Sequence, residues 1–253
     1  MPDPGCEDYK LRLQEDCYAQ PYHYFVDLNG CSLHRYLSWG LEYWSVVKTM
    51  KEIIGELRFS TLLDAGCGDG YLLNHIACEH PDREYTGADI SDRAVRFAEA
   101  FRSSPNIRFL CKNIADYEES ADIVTLMEVL EHIPPRDTPD FIQSISRILK
   151  KNGLFIVSVP TQNVPLNRKH FRHFDADSLA RAVGPDFAVE KTVHVFDFSS
   201  PAVRLCTSLL RNRMFVLDST VLRRRVFRFI DRFHRVTDSS RSAHLITVFR
   251  KEV

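Results

Sequence analysis

The chain has 253 residues, of which 44% are hydrophobic and 26% charged, and its 33 basic side chains nearly balance 34 acidic ones for a formal net charge of −1. That apolar fraction excludes disordered, collagen-like and mucin-like classes, and the near-neutral charge argues against a generally basic nucleic-acid binder. The length suits one large α/β domain or two small ones, with ample apolar surface to bury.

Seven cysteines (Cys6, Cys17, Cys31, Cys67, Cys78, Cys111 and Cys206) are scattered without a CxxC pair, so neither a zinc cluster nor a disulfide framework is expected. The opening MPDPGCEDYK lacks the basic-then-apolar layout of a secretory leader. No apolar run approaches the roughly 18 residues of a membrane span. A soluble, cytoplasmic protein is the expectation.

Residues 1–33 read as polar and irregular, with aromatics at Tyr18, Tyr22, Tyr24 and Phe25 that would serve either as a lid or as packing. From Trp39 to Leu57 the apolar positions Tyr43, Val46, Val47, Met50, Ile53, Ile54 and Leu57 recur at helical spacing. The rhythm then changes to short apolar runs alternating with helical stretches, the pattern of a parallel α/β sheet. Strands are expected at Thr61–Ala65, Tyr85–Ile90, Ile107–Cys111, Asp122–Met127, Leu154–Val159, Val189–Asp197 and His244–Arg250. Helices are expected from Tyr71 to Cys78, over Arg93–Phe101 with Ser91 as N-cap, and over Phe141–Leu149, with Gly153 closing that helical region.

Between the last two strands lies Ser200–Arg241, with ten arginines against three aspartates for a net +7. Ser200-Pro201 reads as a helix start, and Leu222, Val226, Phe229, Ile230 and Phe233 form an apolar stripe mostly opposite Arg224, Arg225, Arg228, Arg232 and Arg235. The stripe is expected to pack on the domain, with the arginines facing an anionic small-molecule acceptor. Contact with a membrane surface or with nucleic acid stands as an alternative use of such a helix.

The organisation that follows is a helical N-terminal cover (1–57) and a main domain (58–253) with a helical insertion (200–241). The fold expected is α/β: a doubly wound, mostly parallel, seven-stranded sheet, with that insertion before the last strand.

The most informative stretch is Leu63-Asp64-Ala65-Gly66-Cys67-Gly68-Asp69-Gly70. A strand ending in a carboxylate runs into three glycines at alternating positions, where the backbone can turn tightly and a ligand can approach without Cβ collisions. Tyr71 stands where the nicotinamide fingerprint would need its third glycine, so that fingerprint fails. Nineteen residues beyond Gly70, Asp89 closes the second strand, where a carboxylate can accept both ribose hydroxyls of a nucleoside. Asn113 after the third strand could meet an adenine edge, with Asp116 as a second candidate, and Glu128 follows the fourth strand. All four positions fall on the carboxyl rim of a parallel sheet, where such folds bind ligands.

This ordered set resembles class I S-adenosylmethionine-dependent methyltransferases. LLDAGCGDG is similar to their glycine-rich motif, GADIS to their ribose-binding acid, and LMEVLEHIP to their segment after strand four; GLFIVSVP followed by HFRHFDADSL is similar to the small-molecule group that includes the ubiquinone-biosynthesis O-methyltransferases. The resemblance spans about residues 60–197 and the last strand. It implies S-adenosyl-L-methionine as cofactor, S-adenosyl-L-homocysteine as product, and cofactor contacts from Asp64, Gly66, Cys67, Gly68, Gly70, Asp89, Ile90, Asn113, Ile114 and Glu128. Asn113 departs from the Asp usual there.

Glu128-Val-Leu-Glu131-His132 puts two carboxylates and an imidazole within one turn. Three readings stand for it. It can be a polar frame for cofactor and substrate, a general base at His132, or a divalent-cation set. Small-RNA 3′-terminal 2′-O-methyltransferases hold such a cation with a Glu-x-x-Glu-His cluster and a later His, for which His170 or His173 would serve. The expectation adopted is methyl transfer to an O or N of a small organic acceptor, with His132 and Glu128 catalytic and no metal. A metal-assisted RNA 2′-O-methyltransferase and a non-catalytic cofactor-binding partner protein remain alternatives; nothing in the sequence fixes the acceptor or the oligomeric state.

Overall fold

A computed structural model of the protein describes residues 4–25, 34–210, 219–233, 235–236 and 238–252. Its elements run α1 (Pro4–Cys17), α2 (His34–Gly55), β1 (Thr61–Ala65), α3 (Tyr71–Ile76), β2 (Glu84–Asp89), α4 (Asp92–Ala100), β3 (Ile107–Cys111) and β4 (Ala121–Met127). There follow α5 (Thr138–Ile148), β5 (Leu149–Pro160), α6 (Ala176–Val183), β6 (Phe187–Asp197), α7 (Pro201–Leu210), α8 (Thr220–Ile230), β7 (Arg235–Val236) and β8 (Ser242–Lys251).

The strands form one sheet in the order β3-β2-β1-β4-β5-β8-β6-β7. β1 to β5 are parallel and β8 enters antiparallel between β5 and β6. The seven expected strands are all present, and the two-residue β7 adds an edge against His194 and Val195. Side chains alternate across the sheet, as a period of two demands. Leu62, Ile123, Ile156 and Ile246 enter the core under α2, α3 and α4, while Leu63, Val124, Phe155 and Leu245 enter the core under α5 and α6. The chain order reverses between β1 and β4, and that switch point opens the rim.

Three local expectations need correction. Part of the segment read as irregular is ordered, because Pro4–Cys17 is helical. The second helix begins at His34 rather than Trp39. Gly153 does not close a helix but lies inside β5, where a Cβ would meet the Lys150 carbonyl oxygen at 2.8 Å and the Asp122 carbonyl oxygen at 3.1 Å. Its glycine serves a close backbone approach.

Candidate active site

The turn after β1 is built on left-handed backbone: φ is +73° at Gly66, +55° at Gly68 and +77° at Gly70. At Gly68 the requirement is twofold, since a Cβ there would also meet the Tyr18 hydroxyl oxygen at 2.7 Å. The Gly66 N–H donates to the Ala88 carbonyl at 2.7 Å, which ties the turn to the end of β2. Asp89 completes the join. Its Oδ2 accepts the Gly68 N–H and its Oδ1 the Ser91 N–H, both at 2.9 Å. Each carboxylate oxygen keeps a second lone pair, so two acceptor positions remain for a vicinal diol. Burial raises the Asp89 pKa from its ordinary value against those backbone donors. Ser91 caps α4, accepting the Ala94 N–H.

The other expected cofactor residues divide by position. Ile90 is 68% exposed, an apolar side chain left on the rim beside Asp89. Asp64 is buried below the turn, where its Oδ1 accepts the Thr125 hydroxyl at 2.7 Å, and burial lifts its pKa to about 7. Cys67 and Ile114 point into the core, so any contact with a rim ligand falls to their backbone. Burial pushes the Cys67 thiol well up. Asn113 uses its Oδ1 to accept the Ala115 N–H, capping the 3₁₀ turn Ile114–Asp116, and Asp116 is exposed.

After β4 the chain turns sharply at Glu128, whose φ of +56° is left-handed in a residue that carries a Cβ. The Glu128 N–H donates to the Ser158 carbonyl at 3.1 Å, and the Ser158 hydroxyl donates to Glu128 Oε1 at 2.9 Å. Glu131 is 1% exposed and its Oε2 has no hydrogen-bond partner. Burial and the neighbouring Glu128 anion raise its pKa well above the usual range. Burial drives His132 down to about 4, so its imidazole is neutral at neutral pH. The His132 and His170 rings meet edge to face at 4.7 Å, and His170 Nδ1 lies 2.9 Å from His173 Nε2. One donor atom each from Glu131, His132 and His170 falls within 4.8 Å of the others, a set that could hold a divalent cation. The structure therefore brings Glu128, Glu131, His132, His170 and His173 to one place.

Residues 45–201, well over half of the chain, match the family model described as a methyltransferase domain. The chain belongs to that methyltransferase family. A Nitrosomonas europaea ubiquinone biosynthesis O-methyltransferase is 31% identical over 177 residues, which are 64% of this chain and 68% of that one. A Mycobacterium tuberculosis protein named as a probable S-adenosylmethionine-dependent methyltransferase is 31% identical over 128 residues, 47% of this chain and 44% of that one. The chain thus spans about half the length of that mycobacterial relative. Among solved structures, the Synechocystis magnesium protoporphyrin IX methyltransferase with bound SAH superposes with a TM-score of 0.53 at 17% identity, covering 87% of this chain and 86% of that one. The N-methyltransferase NodS of Bradyrhizobium japonicum does so with a TM-score of 0.54 at 12% identity, over 84% and 97%. These two likenesses show the fold. The family is S-adenosylmethionine-dependent.

Around that methyltransferase core, residues not singled out from sequence close the site. His23 Nδ1 lies 2.7 Å from Asp69 Oδ1, both side chains buried, and the His23 ring stacks on Tyr43 at 4.5 Å. The Asp within the glycine run was the available signal for that pair. Lys10 of α1 donates to the carbonyls of Arg168 and His170 at 3.1 and 2.6 Å, and the Lys169 ammonium reaches Gln14 at 3.2 Å. Helix α1 is thereby fastened over the loop that carries His170.

The insertion leaves β6 and re-enters β8 at the rim edge, where Asp197 pairs with Ser242. Its stripe packs only in part. Val226 lies against the core, whereas Leu222 is 45% and Phe229 37% exposed. The side chains of Ile230, Phe233, Arg223 and Arg235 lie outside the described residues, as do Arg211 and Arg213 and the side chains of Tyr22, Phe25 and Trp39. No described helix is long and apolar enough to cross a membrane.

Proposed function

We propose that the protein transfers the methyl group of S-adenosylmethionine to an O or N atom of a small organic acceptor. The observation that carries this reading is the glycine turn joined to Asp89 at the switch point of the sheet. The residues present fit the cofactor: a left-handed glycine turn at the switch point of the sheet, and a carboxylate whose two oxygens each keep a lone pair beyond the backbone N–H they accept. The cofactor supplies an already activated sulfonium methyl, so the protein needs mainly to hold acceptor and methyl in line and to accept a proton.

Within that reading Asp89 binds the ribose and Ile90 offers apolar surface to the base. The neutral imidazole of His132 accepts the acceptor's proton. Residues 1–57 act as a cover that excludes water, and the insertion 200–241 shapes the acceptor side, with its exposed arginines favouring an anionic group. The test is a screen of candidate acceptors with methyl-labelled cofactor. Label should appear in a small phenol, amine or carboxylate class. Cofactor binding without turnover of any acceptor would support a non-catalytic partner instead.

A second reading, cation-assisted transfer, is favoured by one observation, the convergence of Glu131, His132 and His170. There the two imidazoles and the carboxylate would ligate the ion, and activity would vanish with a chelator.

A further inference from the structure

Two side chains that the transfer reading leaves unused reach the site from outside the family-matched segment of residues 45–201. Glu42 belongs to α2. His244 is the third residue of β8, opposite Pro160 of β5. Its side chain is 11% exposed, and each ring nitrogen faces a different carboxylate: Nε2 lies 2.9 Å from Glu42 Oε1, and Nδ1 lies 3.0 Å from Glu128 Oε2. The first is an aligned hydrogen bond and the second an ion contact.

A neutral imidazole carries one N–H and one lone pair. In either tautomer, one of these carboxylates would face that lone pair across about 3 Å in a buried setting, which is repulsive. With both carboxylates ionised, both contacts are attractive only for the doubly protonated ring. Burial alone would lower the His244 pKa, yet Glu128 and then Glu42 outweigh it and hold it well above the usual range. The reciprocal effect appears on Glu128, which burial would raise but which His244 and the Ser158 hydroxyl keep low.

We propose that His244, as an imidazolium, is a positioning residue that keeps Glu128 ionised and fixed at the mouth of the cofactor site and ties α2 to it through Glu42. The proposal rests on the transfer reading for its use. An anion held at that mouth favours a cationic ligand, and the sulfonium cofactor carries net positive charge where its homocysteine product does not. The other titratable groups around the pair are Glu131 and His132 from the turn after β4, and Lys169, His170 and His173 from the loop before α6. Burial keeps the three imidazoles neutral near neutral pH and holds Glu131 toward its protonated form, while the Lys169 ammonium reaches Gln14, so none of these groups takes the place of His244 as the cation beside Glu128. Without His244, the partly buried Glu128 is left beside Glu131 with the Ser158 hydroxyl as its partner, and its affinity for a proton must rise.

The test uses the full chain. Nitrogen-15 spectra of the His244 ring should show both nitrogens protonated at about pH 8, well above the ordinary imidazole range. In His244→Gln, S-adenosylmethionine affinity should fall about tenfold or more as pH drops from about 8 to about 6, because Glu128 now titrates there, whereas the parent's affinity stays nearly flat. His244→Lys, which restores a cation, should flatten the profile again, a rescue that mere packing would not produce. A single neutral tautomer at about pH 7 in the parent, or a flat profile in His244→Gln, overturns the proposal. If the glutamine variant does not fold, the ring measurement on the parent decides. A parent that binds no S-adenosylmethionine defeats the transfer reading instead and leaves the ring measurement to judge the clamp.

Discussion

Asp89→Ala is the perturbation that tests the cofactor assignment most directly. The carboxylate accepts the N–H groups of Gly68 and Ser91, both at 2.9 Å, and in the proposed complex it also accepts ribose hydroxyls. Removing it therefore has two separable effects. Hydrogen bonds to a charged acceptor contribute about 1.5–3 kcal/mol each, so losing the ribose contact should weaken S-adenosylhomocysteine binding by about 10- to 150-fold. The two orphaned backbone donors should also loosen the turn, at roughly 1–3 kcal/mol and a melting temperature lower by about 2–10 °C. Asp89→Asn keeps an acceptor oxygen and should fall between. Calorimetry with S-adenosylhomocysteine measures the first effect, and thermal denaturation by circular dichroism the second. A folded Asp89→Ala protein that binds S-adenosylhomocysteine like the parent would refute the reasoning, because no other rim carboxylate stands at the end of β2.

Three further outcomes are expected. Asp64 has its folded pKa raised to about 7 by burial, so the folded state holds the proton more tightly than the unfolded chain, near 3.9. Parent stability should accordingly decline as pH rises from about 4 to about 7, and Asp64→Asn should lose that slope and be more stable by a few kcal/mol at about pH 8, as urea unfolding at the two ends would show; equal slopes would contradict it. His132→Ala should lower turnover by about 10²–10⁴-fold while leaving S-adenosylhomocysteine affinity nearly intact, and activity that a chelator abolishes and a divalent ion restores would move the assignment to the cation reading. Replacing Arg224, Arg225 and Arg228 by Ala should preserve cofactor affinity and raise the acceptor KM; strong sedimentation of the parent with anionic vesicles would favour membrane contact instead.

What the sequence made legible was whatever is written locally. The strands show because LLDA and DIVTLM are short, almost wholly apolar runs, the first leading straight into the glycine turn, and the rim acids because they stand at or just past strand ends. Helix α1 was hidden because it has no continuous apolar face, with Tyr9 and Leu11 exposed. Glycine 153 misled because an Asn-Gly pair after a helix resembles a stop, whereas its use is a crowded approach to the Asp122 carbonyl. His23 meets Asp69 across 46 residues and His244 meets Glu42 across 202, and no local pattern names the partner in such pairs. They exist only once the sheet order is known.

The charges of the site follow from which carboxylates find a cation. Asp64 and Glu131 are buried without one, and burial holds both upward, so a proton is their cheapest partner near neutrality. Glu128 is only partly buried and has His244 at 3.0 Å, which favours its anion. Two carboxylates three residues apart are thus shifted in opposite directions, Glu131 toward its protonated form and Glu128 toward its anion, beside a neutral His132. The cation that breaks this symmetry comes from β8 and is braced from α2. Transplanting only the family-matched segment would leave Glu128 and Glu131 competing for one proton, and the division of roles at the site would be lost with it.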